Sequence, residues 1–188
     1  MKYTLEKQET DRLKFRCFER ADMQTWLPFF KDRSIWKYLC LDETKTDEKI
    51  NEFWMEKCQA RYDEDRGGLM AVIDKDTDKL LGMCGLLVQD IAGKKRLEVG
   101  YSFLPAARGK GYATEAAQFA KNHGFEHGYD QGFGGSLVSM IHRDNHPSKA
   151  VALRNGMTLE IETVMERGQP FHIFSIDRTT WEQQRENR

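Results

Sequence analysis

The sequence lacks a long hydrophobic run. Its longest nearly apolar stretch, Leu80–Val88, is far shorter than the ~20 residues a helix needs to cross a bilayer, so a spanning helix is not expected and the chain reads as having no membrane partner. The first residues, Met1–Thr10, contain no apolar core of a signal peptide, which predicts no secretory signal and, by default, a cytoplasmic location. An excess of one charge is also missing. Lys and Arg number 29 against 30 Asp and Glu, for a net charge of −1. Bulk charge therefore favours neither nucleic acid nor an anionic membrane, and no basic, aromatic-bearing motif points to nucleic acid. The cysteines Cys17, Cys40, Cys58 and Cys84 form no CxxC pair, and no His stands at zinc-finger spacing from them. Buried thiols are the expectation, with no metal. Internal repeats and low-complexity linkers are absent too.

What is present suits one globular domain over residues 1–188: hydrophobic residues make up 39% and charged residues 31%, in a chain long enough to bury a single core. Arg12–Phe18 alternates apolar and basic residues as a strand does. Asp22 is placed to cap a helix from about Met23, in which Pro28 suggests a break or a second short turn. The aromatic-rich segment Phe29–Leu39 reads as core or as the lining of a substrate cleft. Thr46–Tyr62 predicts a helix with Ile50, Phe53, Trp54 and Cys58 on one face. Leu69–Ile73, Lys79–Ile91 and Arg96–Leu104, joined by short polar turns, predict an antiparallel meander. The acidic turn Asp74–Asp78 lacks the glycine and distant Glu of a calcium loop. Later come a strand at Ser136–His142 and a short helix capped by Asn145 or His146 and ended by Gly156. A hairpin across Arg167–Pro170 and a polar tail helix, Thr179–Arg188, complete the reading.

The most informative stretch is Leu97–Gly124. A strand stops at Pro105, a turn carries Arg108-Gly109-Lys110-Gly111, and alanines 113, 116, 117 and 120 recur at helical spacing. The first N–H groups of a helix have no partners inside it, so a flexible glycine turn feeding a helix start is suited to an anion such as a phosphate. Two glycines let a ligand approach the backbone closely.

Two motifs then carry a resemblance. Arg108-Gly109-Lys110-Gly111-Tyr112-Ala113 fits the (Q/R)-x-x-G-x-(G/A) pattern, and Asp144–Ser148 followed by Arg154-Asn155-Gly156-Met157 fits an Asn-x-x-Ser, short helix, Gly sequence. In this order and context the chain resembles the GNAT superfamily of acetyl-CoA-dependent N-acetyltransferases. Thr10–Arg16 resembles the opening strand of the branch that contains the enzymes acetylating ribosomal-protein N-termini and many of unassigned substrate. The resemblance covers nearly the whole chain. It implies an α+β, three-layer α/β/α fold: a central, mixed, mostly antiparallel twisted sheet of about six to seven strands with helices on both faces. It implies acetyl-CoA as co-substrate and a primary amine as acceptor, either a peptide N-terminus or a small molecule. Homodimers are frequent in that superfamily.

The resemblance places the pyrophosphate on the amides of Gly109–Ala113, with charge from Arg108 and Lys110. It places the pantetheine arm along the main chain of Phe103 and Leu104, and Asn145 beside the arm. Glu98, an acid in an otherwise apolar strand, matches a base of the superfamily; its plain structural role would be a rim residue or a partner for a cation. A base is needed because a lysine-like amine of pKa about 10.4 is neutral only about once in 2,500 at pH 7. The superfamily's usual acid is a Tyr four residues after the motif Ser. Here that position is Ala152, which leaves Ser148 to assist the departing thiolate. His142, His146 and His172 are alternative bases. Cys84 has no base near it in sequence, which favours direct transfer in a ternary complex over an acetyl-cysteine. The acidic runs Asp42-Glu43 and Asp63–Asp65 hint at a polycationic acceptor if they line the cleft expected from Trp26–Leu39 and Val164–Phe174. The competing reading is a non-catalytic CoA-binding or sensory module.

Overall fold

A computed structural model describes residues 2–186. A seven-stranded sheet has the order β1-β2-β3-β4-β5-β7-β6, with β1 at Leu13–Arg16, β2 at Met70–Asp74, β3 at Leu80–Ile91, β4 at Lys94–Phe103, β5 at Ser136–His142, β6 at Thr158–Glu166 and β7 at Gln169–Asp177. All neighbours are antiparallel except β4 and β5, which are parallel. The helices are α1 (Met23–Lys31), α2 (Trp36–Leu39), α3 (Asp47–Asp63), α4 (Tyr112–Glu126), α5 (His146–Arg154) and α6 (Arg178–Glu186). The three-layer α+β expectation holds. Side chains alternate across a strand, and Met83 of β3 meets Trp54 of α3 while Leu86 lies against Gly124 of α4. These helices therefore cover opposite faces.

The β4–β5 pairing is short. Only Leu97↔Leu137 and Glu98↔Val138 are in register, and beyond Glu98 the two strands diverge. On its other side β4 pairs with β3 as far as Phe103. Leu104 N–H bonds Leu81 O, and ladder bonds recur at alternate residues, so the main chains of Val99, Tyr101 and Phe103 face the gap. Parallel pairing that stops after two residues leaves a cleft in the middle of the sheet.

Several local expectations need correction. Pro28 lies inside α1 without ending it: the buried side chains of Trp26, Leu27, Phe29 and Phe30 hold the helix despite one missing N–H. The Asp22 side chain does not cap α1; its carboxylate takes both Nη atoms of Arg16, at 2.6 and 2.7 Å. Phe53 is 58% exposed, so the buried face of α3 is Ile50, Met55, Cys58 and Tyr62 instead. The final hairpin turns at Arg167-Gly168 alone, with Glu166 paired to Gln169; both turn residues adopt positive φ, +48° and +75°, as a tight two-residue hairpin turn demands. The tail helix is docked by Trp181, buried and stacked on Phe125 with 4.9 Å between centroids; Asn187 and Arg188 lie outside the described residues. The cysteines form no disulfide among the described residues, and Cys58 and Cys84 are buried.

Candidate active site

The glycine turn is held from both sides. Gly109 and Gly111 have φ of +76° and +83°, in the left-handed region that glycine enters without cost. Arg12, beside β1, reaches across to donate from Nε to Glu115 at 2.7 Å and from Nη1 to Lys110 O at 3.1 Å, and it stacks over the Tyr112 ring. The Tyr112 hydroxyl bonds Asp74 at 3.3 Å. Arg108 N–H returns to Pro105 O, and the next backbone bond is Glu115 N–H to Gly111 O. Among the described residues, no backbone acceptor takes the N–H groups of residues 109–114. A row of amides without backbone acceptors at the positive end of α4 is suited to an anion. A Cβ at Gly109 would meet nothing within 4 Å and one at Gly111 only the Arg12 Nη2 at 3.4 Å, so the space over the turn is open for a phosphate-bearing group, and the residues present fit one.

Of the two cations named from the sequence, Arg108 lines the larger cavity and is also paired within the protein. Arg108 pairs with Asp32 at 2.5 Å and donates from Nε to Phe103 O at 3.0 Å. Its guanidinium clamps the turn to the end of α1, and together with Ser34 it holds the Asp32 carboxyl below its usual range. Lys110 lines neither cavity described below. Part of the main-chain track is already engaged within the protein. The Leu104 amide is engaged by Leu81 and the Phe103 carbonyl by Arg108. Among the gap-facing residues, Val99 O accepts the Ser139 hydroxyl at 2.8 Å. The Tyr101 main chain and the Phe103 N–H are left turned to the gap.

Two cavities open from this gap. One, of about 740 Å³, runs from Arg108, Gly109, Gly111, Tyr112 and Ala113 to Phe103, Asn145 and Ser148. The other, of about 320 Å³, contains Glu98. Tyr38, Leu39, Tyr101, Ser102, Asn145 and Ser148 line both, so the cavities meet where β4 leaves β5.

At this junction α5 is fixed by the Asn145 side chain, which accepts the Ser148 N–H at 3.2 Å and caps the helix. Pro147 sits in the first turn, where its missing N–H costs nothing. The Tyr101 hydroxyl donates to Ser148 O at 2.8 Å, tying β4 to α5. Ala152 is buried and lines neither cavity.

Glu98 lies deep in the smaller cavity, 7% exposed. Gln89 Nε2 donates to one carboxylate oxygen and Met140 N–H to the other, at 3.2 Å. Burial raises its pKa above the ordinary glutamate value, and the two donors and the nearby charges of Arg61 and Lys57 offset part of that rise. A carboxylate so placed is a stronger base than one in water. Of the alternative bases, only His142 lines this cavity. Its Nδ1 accepts the Asp144 N–H at 3.1 Å and its Nε2 faces Gln169 at 3.4 Å, so both ring nitrogens are engaged. Cys84 is enclosed, with burial pushing its thiol pKa far up, which fits packing and not nucleophilic chemistry.

A model of the acetyltransferase (GNAT) domain matches residues 12–158. The chain belongs to the GNAT acetyltransferases. It is 30% identical over 168 residues, 88% of this chain and 92% of the other, to the uncharacterized protein YkkB of Bacillus subtilis (strain 168). The spermidine N-acetyltransferase of Vibrio cholerae, solved with CoA and spermine, shares the GNAT fold at a TM-score of 0.68 and 17% identity, covering 92% of this chain and 99% of that one. A Salmonella typhimurium acetyltransferase that modifies the N-terminal serine of ribosomal protein L7/L12 does so at 0.69 and 15%, covering 89% and 96%.

Sequence reasoning missed part of the GNAT site here. The segments expected to form the cleft do contribute Tyr38, Leu39, Glu166, Arg167 and Phe171. The acidic runs do not line it. The wall opposite Glu98 is α3, through Trp54, Lys57, Cys58 and Arg61. A sequence signal for this existed: Arg61 follows Ile50, Trp54 and Cys58 at helical spacing, on the apolar side where a cation is out of place.

Proposed function

We propose that this chain transfers the acetyl group of acetyl-CoA to a primary amine by direct attack within a ternary complex. The observation that carries the reading is the meeting of two cavities at the β4–β5 divergence, one ending on the amide cradle and the other on a buried carboxylate.

The amides of residues 109–114 hold the pyrophosphate, the gap-facing main chain of Tyr101 pairs with the pantetheine arm, and Asn145 and Ser148 flank the thioester at the junction. Acetyl-CoA supplies the activated acetyl group and leaves as CoA. Glu98, through its raised pKa, takes the proton of the incoming ammonium, directly or through one water, and so delivers a neutral nitrogen. The Ser148 hydroxyl hydrogen-bonds the departing sulfur; a free thiol has a pKa of about 8.5, so the thiolate needs little more. The apolar walls around Tyr38, Leu39 and Tyr101 exclude water from the thioester.

The reading is tested by calorimetry with acetyl-CoA and by thiol release across a panel of amines. Binding with acetyl transfer to at least one amine supports it. Binding without turnover of any amine would leave a CoA-binding module.

A further inference from the structure

The acceptor cavity is lined by a buried guanidinium that forms no ion pair among the described residues. Arg61, on α3, is 5% exposed and lines the cavity of Glu98. Its Nη2 donates to Val88 O at 2.7 Å and Arg66 O at 3.4 Å. Its Nε is buried without a partner, and among the described residues no carboxylate lies within ion-pair distance of it. Carbonyl dipoles satisfy hydrogen bonds but do not cancel a charge, and a buried guanidinium without a counter-ion is costly. One turn earlier on the same face stands Lys57, also lining the cavity and, among the described residues, also without an ion pair. Lys57 is exposed as a residue, but desolvation of its ammonium at the cavity wall and the positive charges of Arg61 and Arg167 hold its pKa below the usual lysine value.

The acids around these cations do not answer them. Glu98, the base of the proposed reaction, takes its hydrogen bonds from Gln89 and Met140 and, among the described residues, forms no ion pair with either cation. Glu166 is beside Arg167, at 3.7 Å. Asp90 is exposed. A polyamine entering here would set cation against cation. A molecule with an amine at one end and an anion at the other would place the amine at Glu98 and the anion at Arg61 and Lys57.

We infer that the acceptor of this enzyme is a primary amine that also carries a carboxylate, received by Arg61 and Lys57 on α3. The inference rests on the acetyltransferase reading above and names the substrate class of that site. The cavity of about 320 Å³ is at the small end of ligand sites, which suits a group of amino-acid size. The same chemistry comes from a free amino acid or from an acidic first residue of a peptide.

The test compares matched acceptors: free amino acids against their amides, peptides beginning with Glu against those beginning with Gln, and spermidine. The expected result is a kcat/KM at least tenfold higher for the acid member in one of the two series, with spermidine the poorest. Lys57→Met and Arg61→Met should bring the acid-to-amide ratio towards one, through KM more than kcat, and Lys57→Arg should restore it. Lys57 is exposed, so its variant reads the ratio even if the Arg61 variant does not fold. Binding of each pair to the CoA complex, measured by calorimetry, gives the same ratio without turnover. Equal handling of acids and amides in both series, or preference for spermidine, overturns the inference. Loss of acetyl-CoA binding or of all amine turnover instead strikes the acetyltransferase reading, while the binding ratio still decides the charge preference.

Discussion

The Met140 amide donates to the Glu98 carboxylate at 3.2 Å across the gap between β4 and β5. Backbone pairing between these strands ends at Glu98↔Val138, and two residues further along β5 a side chain takes over from the main chain. The acid therefore bridges the divergence that opens the cleft. Its position is set by the sheet itself.

Glu98→Gln should abolish the acid limb of the pH–rate profile and lower kcat/KM at pH 7 by roughly 10²–10⁴-fold for amines of high pKa, with acetyl-CoA affinity little changed. An unchanged profile would assign the proton to another group. The same shift bears on stability. Because folding raises the Glu98 pKa, the folded state favours the neutral acid; the associated stability is present below the unfolded pKa of about 4.3 and is lost as pH rises through the folded one. The glutamine variant should thus melt higher than the parent at neutral pH, and the gap should close on acidification.

Gly111→Val should weaken acetyl-CoA binding by at least tenfold in calorimetry. At φ +83° a side chain also strains the backbone by about 1–3 kcal/mol, so melting should show a loss of that order. Parent-like affinity would remove the cradle from the turn.

Asn145 and Ser148 separate by readout. Asn145→Ala removes the α5 cap and should cost about 1 kcal/mol of stability together with activity. Ser148→Ala keeps the cap, because the Ser148 backbone is the donor, and should leave the melting temperature within a degree or two while turnover falls. Equal kinetics in parent and Ser148→Ala protein would restrict Ser148 to its backbone.

Trp181→Ala should destabilise the chain by about 3–5 kcal/mol. The indole is buried on Phe125 and donates to Asn122 at 2.9 Å, so its loss frees α6 from the back of α4. Denaturant unfolding measures the change.

The readable parts of this protein were those whose causes are local. A glycine turn feeding an alanine-spaced helix, an Asn-x-Pro-Ser cap and alternating strands each announce themselves within a dozen residues, because backbone conformation and first-turn hydrogen bonding are decided at that range. Glu98 was legible as a lone acid in an apolar strand. Pro28 was misread because local propensity lost to the burial of the aromatics around it. The pairing of Arg108 with Asp32 was not legible because the two are distant in sequence and meet only when α1 packs beside the turn.

From the sequence alone came the family, the order of elements, the glycine turn before α4 and the acid in β4. Tertiary structure alone decided which edge of β4 stays open, that Arg108 is a clamp and that α3 brings Arg61 and Lys57 to face Glu98. Those features depend on which surfaces meet, and charge compensation in a cavity is a property of the assembled walls, contributed by segments that the chain itself holds far apart.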